Sequence, residues 1–350
     1  MENSKIKEIY DLAVSKEASD IHLVSNREPI FRIHGDLIPS EYPKLEANEL
    51  QEILFSCLNE DQIQKFLKFK EFDFSASFSS GNQSRVNIYY EKGLIAATIR
   101  IIKDSILSRE QLGLPEVVDN LALARKGIIF ISGTAGSGKS TTLNYMVNLI
   151  NERRKCKVVT IEDPIEYVHK SKQSLIVQRE VGNDTESFAN ALKFSLRQDP
   201  DVVVIGEIRD LESISMALTT AETGHLVITS VHAPNAVETV NRIIDVFPKN
   251  YREQICIQLA ENLVGIVGQV LIPQKDSAER VLATEVLVAS LPIRNIIRRE
   301  ALVELHGQMD ADRDFGMHTY EKCLSRLART NIITPETARE YAKNSHFLDL

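Results

Sequence analysis

The chain has 350 residues, of which 43% are hydrophobic and 26% charged. These proportions are ordinary for a globular protein and exclude a disordered chain, a fibrous protein and a disulfide-rich scaffold. The formal net charge of −8 opposes binding to a phosphate backbone, which depends on clustered cations, so we expect no nucleic-acid partner.

The N-terminal part of the sequence predicts a small α+β domain. Residues 1–18 have the periodicity of an amphipathic helix, and their charges exclude a signal peptide. Short apolar runs separated by turn residues follow, then a helix at about 47–57 and strands at SRVNIYY and LIAATIRII. We predict that this domain covers residues 1–104 and that a linker covers residues 105–120.

The remainder, residues 121–350, predicts an α/β domain. Its apolar runs of strand length are GIIFISG, KVVTIED, DVVVIGE and HLVITSVH, and the segments between them are long enough for crossover helices. Such runs are typical of a parallel sheet covered by helices on both faces. Beyond Phe247 we predict mostly helices, near residues 249–270, 291–300 and 316–345. No apolar stretch approaches the roughly 20 residues of a membrane span, so we expect a cytoplasmic protein whose membrane contact is indirect.

A phosphate-binding loop follows the first of these strands. Residues 133–140, GTAGSGKS, match the pattern GxxxxGK[ST] between a strand and a helical stretch. Glycines let the backbone approach phosphates closely, Lys139 can reach the β and γ oxygens, and the hydroxyl of Ser140 suits Mg²⁺. ATP and Mg²⁺ are therefore the expected cofactors. The predicted ATP contacts are Gly133, Thr134, Ala135, Gly136, Ser137, Gly138, Lys139, Ser140 and Thr141.

Polar residues end the other strands and are expected to lie near this loop, because ligands of open α/β sheets bind outside the carboxyl ends of the strands. The candidates are Glu162, Glu166, Glu207 and His232. One carboxylate can orient the attacking water and another can hold Mg²⁺ through water. Glu207 and Glu166 are the main candidates for these two roles. The sequence does not decide which of them orients the water and which holds Mg²⁺. His232 is a candidate sensor of the γ-phosphate.

These motifs resemble the secretion ATPases that power type IV pili and type II secretion, and in particular their PilT/PilU retraction branch. GTAGSGKST resembles the family's Walker A motif and TIEDPIEYVH its Asp box, while DPDVVVIGEIRD resembles the Walker B motif and GHLVITSVHAPNA the His box. The resemblance implies a RecA-like P-loop ATPase domain with a smaller N-terminal PAS-like α+β domain. It also implies that Arg85 and Arg100 contact nucleotide at a subunit boundary.

The retraction branch is favoured by two absences and one motif. The chain has neither the long N-terminal extension nor the tetracysteine module of extension and secretion ATPases, and LPIRNIIRRE at 291–300 resembles a motif associated with retraction. Within that segment we predict buried isoleucines and an exposed flank formed by Arg294 and Arg298. QREVGNDTESF is closer to PilU, so the resemblance leaves a main motor and an accessory motor both open.

The resemblance implies a homo-hexamer that works on an inner-membrane pilus platform protein, with a second retraction ATPase of the PilT type as a further partner of an accessory motor. The protein would then be cytoplasmic and peripheral at the inner membrane. Three other functions stay open from the residues: a largely inactive scaffold that modulates a partner ATPase, a RecA-like nucleic-acid motor, and a phosphotransferase. The last would need a lid and an acceptor pocket, and no segment stands out as either.

Overall fold

A computed structural model describes residues 4–33, 35–78, 83–102, 106–277, 279–312 and 315–350. The chain divides into two units: Met1–Ser105 with Pro164–Val168, and Ile106–Asp163 with His169–Leu350. The predicted domain boundary at residues 104 and 105 lies outside the described residues.

The N-terminal unit is a six-stranded sheet with three helices. The helices are α1 (Ser4–Ser15), α2 (Ala47–Phe55) and α3 (Glu60–Phe69). The strands are β1 (Asp20–Val24), β2 (Ile30–Ile33), β3 (Asp36–Pro39), β4 (Glu71–Ser77), β5 (Gln83–Glu91) and β6 (Leu94–Ile101). The strand order is β3-β2-β1-β6-β5-β4, and every pairing is antiparallel. The predicted α+β character of this part is confirmed.

Helix α1 forms because its apolar residues recur with helical spacing. Ile6, Ile9, Tyr10 and Ala13 are all buried and pack in one core with residues of α2, α3 and the sheet. The helix at 47–57 that we predicted corresponds to α2, which begins at a capping box formed by Glu46 and Glu49.

Among its described residues, the C-terminal unit has eleven α-helices and a seven-stranded sheet. Its helices are α4 (Arg109–Leu112), α5 (Val117–Ala122), α6 (Lys139–Arg153), α7 (Phe188–Ser195), α8 (Leu211–Glu222), α9 (Ala236–Asp245), α10 (Arg252–Asn262), α11 (Leu291–Arg298), α12 (Leu305–Ala311), α13 (Tyr320–Arg329) and α14 (Pro335–Tyr341). Its strands are β7 (Gly127–Ser132), β8 (Lys157–Glu162), β9 (Leu175–Glu180), β10 (Val202–Ile205), β11 (Leu226–Val231), β12 (Leu263–Pro273) and β13 (Arg280–Val288).

The sheet of this unit has the order β13-β12-β7-β11-β10-β8-β9. All neighbours pair in parallel except β12 with β13. Strand β7 is buried along its whole length, and its side chains alternate between two cores. Ile128 and Phe130 pack with α8 to α11, whereas Ile129 and Ile131 pack with α5 and α6. The predicted α/β fold with helices on both faces is therefore confirmed.

The sequence interpretation was wrong about residues 263–270, which we expected to be helical. They belong to β12, which pairs with β7 and β13. The glycines of this strand allow close packing, because a Cβ at Gly265 would lie 2.8 Å from a side-chain carbon of Leu121, and one at Gly268 would lie 3.0 Å from the hydroxyl of Tyr320. Strands β9 and β13 were also missed.

The stretch that we predicted as a linker is more structured than expected. It contains α4 and most of α5, and Leu114, Val118 and Leu121 are buried in a core of the C-terminal unit. No helix in the described part of the chain combines the length and apolarity needed to cross a bilayer.

Candidate functional site

The loop between β7 and α6 has the backbone shape of a phosphate-binding loop. Gly133, Gly136 and Gly138 have φ angles of 156°, 74° and 88°, which glycine adopts at low cost. Gly138 is the residue that precedes the first turn of α6. The first amides of a helix have no acceptor within it, so this end of α6 suits an anion.

Gln269 on the neighbouring strand β12 supports the loop. Its Nε2 donates a hydrogen bond of 2.7 Å to the carbonyl oxygen of Ser137. A Cβ at Gly133 would lie 2.5 Å from the carbonyl oxygen of Gln269 and 2.3 Å from Oγ of Ser137. The loop is thus packed closely against β12, and this contact requires glycine at position 133.

The remaining loop residues differ in exposure. Thr134 and Ala135 are exposed, Ser137 is buried, and Ser140 and Thr141 are partly buried on the first turn of α6. The ammonium group of Lys139 donates to the carbonyl oxygens of Gly133 at 3.0 Å and Thr134 at 2.8 Å, so it lies within the curve of the loop. Burial lowers the pKa of Lys139, and the charge of Glu207 opposes this shift.

Glu207 and His232 lie beside each other, as expected for residues that follow the adjacent parallel strands β10 and β11. Nε2 of His232 is 3.3 Å from Oε2 of Glu207, and Nη2 of Arg209 is 2.5 Å from Oε1 of the same carboxylate. Burial, followed by the charge of Lys139, lowers the pKa of His232 below its usual 6.5. The imidazole is therefore largely neutral at pH 7. The structure brings together Lys139, Glu207 and His232.

The other two predicted acids lie in different surroundings. Oε1 of Glu162 accepts hydrogen bonds from Thr160 at 2.6 Å and Gln178 at 3.1 Å. Glu166 belongs to the segment 164–168, which groups with the N-terminal unit. There it lines a cavity of about 670 Å³ together with Arg85 and Arg100.

Arg85 and Arg100 lie directly opposite each other on β5 and β6. Arg100 forms an ion pair with Asp20 at 2.9 Å, and Arg85 is 3.7 Å from Asp73. Both arginine side chains remain accessible, at 45% for Arg85 and 69% for Arg100. Two accessible guanidinium groups therefore lie at directly opposed positions on this sheet, where like charges are unfavourable to each other.

The retraction-associated segment is only partly as predicted. Ile293, Ile296 and Ile297 are buried, as expected. Arg294 is not on an exposed flank: it donates to the backbone carbonyls of Ala289, Ala260 and Glu261. It therefore caps the last turn of α10, a role that arginine side chains perform well at helix C-termini. Arg298 is exposed.

Two residues of this site were missed by the sequence interpretation. Arg209 lies within the DPDVVVIGEIRD motif, two positions after Glu207, and could have been found as the cation nearest to that carboxylate. Gln269 had a weaker signal, an isolated amide within the apolar run LVGIVGQVLIP.

Comparison with known proteins agrees with this geometry. Residues 92–334 match the family model described as type II/IV secretion system protein. The chain is 41% identical over 317 residues to the twitching motility protein of Neisseria gonorrhoeae, with coverage of 91% of this chain and 85% of that one. It is 35% identical over 346 residues to the type IV pilus ATPase PilU of Pseudomonas aeruginosa, with coverage of 99% and 91%.

A solved structure has the same architecture. The crystal structure of the pilus retraction motor PilT with bound ADP superposes with a TM-score of 0.92 and 40% sequence identity, covering 98% of each chain. The similarity therefore extends over both units of the chain, including the phosphate-binding loop.

The packing of the loop predicts different effects for two glycine substitutions. Gly133→Ala should weaken the binding of fluorescent ADP by between about fivefold and about 150-fold, because forcing a methyl group into a packed site costs about 1–3 kcal/mol. Gly136→Ala is the matched control, since a Cβ there meets nothing within 4 Å and only the backbone is strained. Titration of each variant with fluorescent ADP measures both effects. Equal losses would show that contact with β12 does not shape the loop.

Proposed function

Because this chain belongs to the type II/IV secretion system protein family, we propose that it is an ATP-hydrolysing ring motor that powers type IV pilus retraction, as a main or an accessory retraction ATPase. The observation that carries this proposal is the intact phosphate-binding loop with Lys139, Glu207 and His232 together at its edge. This arrangement occurs in a chain that matches PilT over 98% of its length.

In this proposal the phosphates of ATP bind the loop from Gly133 to Thr141, and Lys139 contacts the β and γ oxygens. Ser140 would contact Mg²⁺ directly, and Glu207 or Glu166 would contact it through water. A hydroxyl with a nearby carboxylate is a set of hard oxygen donors, which suits a Mg²⁺ ion that keeps several waters. Such an ion neutralises charge on the β and γ oxygens during hydrolysis.

Glu207 is the proposed residue that orients the attacking water. Its two carboxylate oxygens have different partners, Arg209 on Oε1 and His232 on Oε2, which fixes the plane of the group. His232, with its lowered pKa, acts as a neutral hydrogen-bonding sensor of the γ-phosphate. Glu166 and Glu162 remain candidates for the second carboxylate.

Arg85 and Arg100 are proposed to contact nucleotide bound to a neighbouring subunit. The support is their opposed register, their accessibility and the cavity that they share with Glu166. A cation supplied from outside the loop can stabilise charge that develops in the transition state. In a hexamer, each interface between subunits would then close when ATP binds and open after hydrolysis.

The expected partners follow from the proposed role as a retraction motor. We propose a cytoplasmic homo-hexamer, peripheral at the inner membrane, that docks on the pilus platform protein and acts alone or with a second retraction ATPase of the PilT type. A largely inactive scaffold is the second candidate, because PilU is among the similar proteins. Measuring ATP hydrolysis alone and with a PilT-type partner separates the two, since a scaffold hydrolyses little by itself.

Lys139→Ala and Glu207→Gln should affect different steps. Lys139→Ala should lose both ADP binding and hydrolysis, because it removes the cation within the loop. Glu207→Gln should keep ADP binding and reduce hydrolysis at least about hundredfold, since it removes a carboxylate that orients water. Phosphate release and fluorescent ADP binding measure the two steps. Loss of binding in Glu207→Gln would instead make that carboxylate part of the binding site.

A mixing experiment tests the sharing of residues between subunits. An Arg100→Ala, Lys139→Ala double variant, mixed with wild type, should reduce hydrolysis more than dilution alone. Each inactive subunit also fails to supply Arg100 to the nucleotide of its neighbour. Strictly proportional loss, with mixed rings verified by mass spectrometry, would contradict the shared site. The Lys139→Ala single variant, which keeps Arg100, is the control.

Gene deletion tests the cellular function. If the protein is the main motor, pilin synthesis should continue, surface pili should accumulate and twitching should stop. If it is an accessory motor, pili should still retract against a low load and fail against a high one. Optical-trap measurement of retraction force distinguishes these outcomes. Loss of surface pili in the deletion strain would indicate an assembly motor. A normal retraction force in that strain would contradict the proposed role in retraction.

A further inference from the structure

A chain of hydrogen bonds joins both ends of the segment Glu162–His169 to the first turn of α6. Gln178 on β9 donates to Glu162 at 3.1 Å and accepts from the backbone amide of His169 at 2.7 Å. The Nε2 atom of His169 is 2.7 Å from Oδ1 of Asn144. Nδ2 of Asn144 donates to the carbonyl oxygen of Ser140 at 2.8 Å. The chain thus ends on the residue that is proposed to contact Mg²⁺.

The direction of these hydrogen bonds is fixed by their chemistry. A carbonyl oxygen can only accept, so the amide atom of Asn144 that faces Ser140 is the nitrogen. The amide oxygen therefore faces His169 and also accepts, which requires the hydrogen of the imidazole to be on Nε2. His169 Nδ1 is buried and has no hydrogen-bond partner among the described residues.

Both side chains of the His169–Asn144 hydrogen bond are buried. His169 is 8% exposed and Asn144 is 6% exposed. Burial, with a smaller effect from Lys172, lowers the pKa of His169 to about 4, so the neutral form predominates near pH 7. A satisfied hydrogen bond in such surroundings is costly to break, because its two groups cannot exchange it for water.

The same helix provides an internal comparison. Asn151, also on α6, is buried and bonds the backbone just after this segment, at Lys170 and Lys172, both at 2.8 Å. It thus attaches the chain beyond His169 to α6 through backbone groups, whereas Asn144 contacts the imidazole of His169. Only Asn144 continues to Ser140, so a purely structural attachment and an effect on Ser140 are separable.

We propose that His169 is a positioning residue for Ser140: through Asn144 it fixes the first turn of α6 in the orientation in which the Ser140 hydroxyl binds Mg²⁺. The inference rests on the proposed Mg–ATP site. It adds a role for the last residue of the TIEDPIEYVH motif, whose buried imidazole contacts Asn144. Residues behind a metal ligand typically tune its affinity by orienting it.

The test compares Mg²⁺ responses of the assembled protein. Fluorescent ADP binding is measured in EDTA and across a Mg²⁺ titration for wild type, His169→Met, His169→Gln and the control Asn151→Leu. His169→Met removes the donor, and the Mg²⁺ concentration for half-maximal effect should rise on the order of tenfold, with ADP affinity in EDTA unchanged. His169→Gln keeps an N–H near the Nε2 position and should stay within about twofold of wild type. Asn151→Leu should keep the wild-type Mg²⁺ response even if its melting temperature falls.

Four results would overturn the proposal. An unchanged Mg²⁺ response in His169→Met would remove the positioning role alone, whereas a wild type that does not respond to Mg²⁺ would remove the metal site as well. If His169→Met weakens ADP binding equally in EDTA and in Mg²⁺, His169 has only a structural role. If His169→Met does not fold, His169→Gln is compared with His169→Asn, whose shorter amide does not reach Asn144, and equal Mg²⁺ responses would refute the inference.

Discussion

The hydrogen bond from Gln269 to the carbonyl oxygen of Ser137 is the contact on which the candidate site depends. A glycine-rich loop has little intrinsic preference for one shape, because glycine loses more conformational freedom on folding than other residues. Strand β12 offsets this cost by packing its backbone against Gly133 and its side chain against Ser137. Contacts with β12 thus hold the loop in this shape, and preorganisation of this kind lowers the cost of binding.

The charges around the loop follow from that shape. The ammonium group of Lys139 lies within the loop, where burial lowers its pKa, and a partly desolvated cation interacts strongly with phosphate oxygens. Glu207 is held from two sides, by Arg209 and by His232. A carboxylate fixed in this way needs little reorganisation when water must be oriented for attack. These groups meet because β7, β10 and β11 are parallel neighbours that end at one edge of the sheet.

The sheet of the N-terminal unit presents a different kind of site. Arg32, Asp20, Arg100 and Arg85 occupy opposed positions on four successive strands. One buried aspartate pairs with Arg32 and Arg100, so the row has an excess of positive charge. A folded sheet retains such a row at a cost in stability, and binding of an anion would offset that cost. Such a cost is the physical argument behind the proposed nucleotide contact of Arg85 and Arg100.

The fold class, the phosphate-binding loop and the position of Glu207 and His232 at the carboxyl ends of their strands could be predicted from the sequence. The first two are local features: a buried parallel strand needs a continuous apolar run, and a phosphate loop needs glycines at fixed spacing. The contact between Glu207 and His232 also needs β10 and β11 to be neighbours. That residues 263–270 form a strand could not be predicted, because this depends on pairing with β7 and β13 and not on a local pattern. The environment of each polar group likewise depends on the tertiary structure. Two examples are the capping of α10 by Arg294 and the cavity that Glu166 shares with Arg85 and Arg100. Both bring together residues that are far apart in the chain, so no spacing in the sequence predicts them.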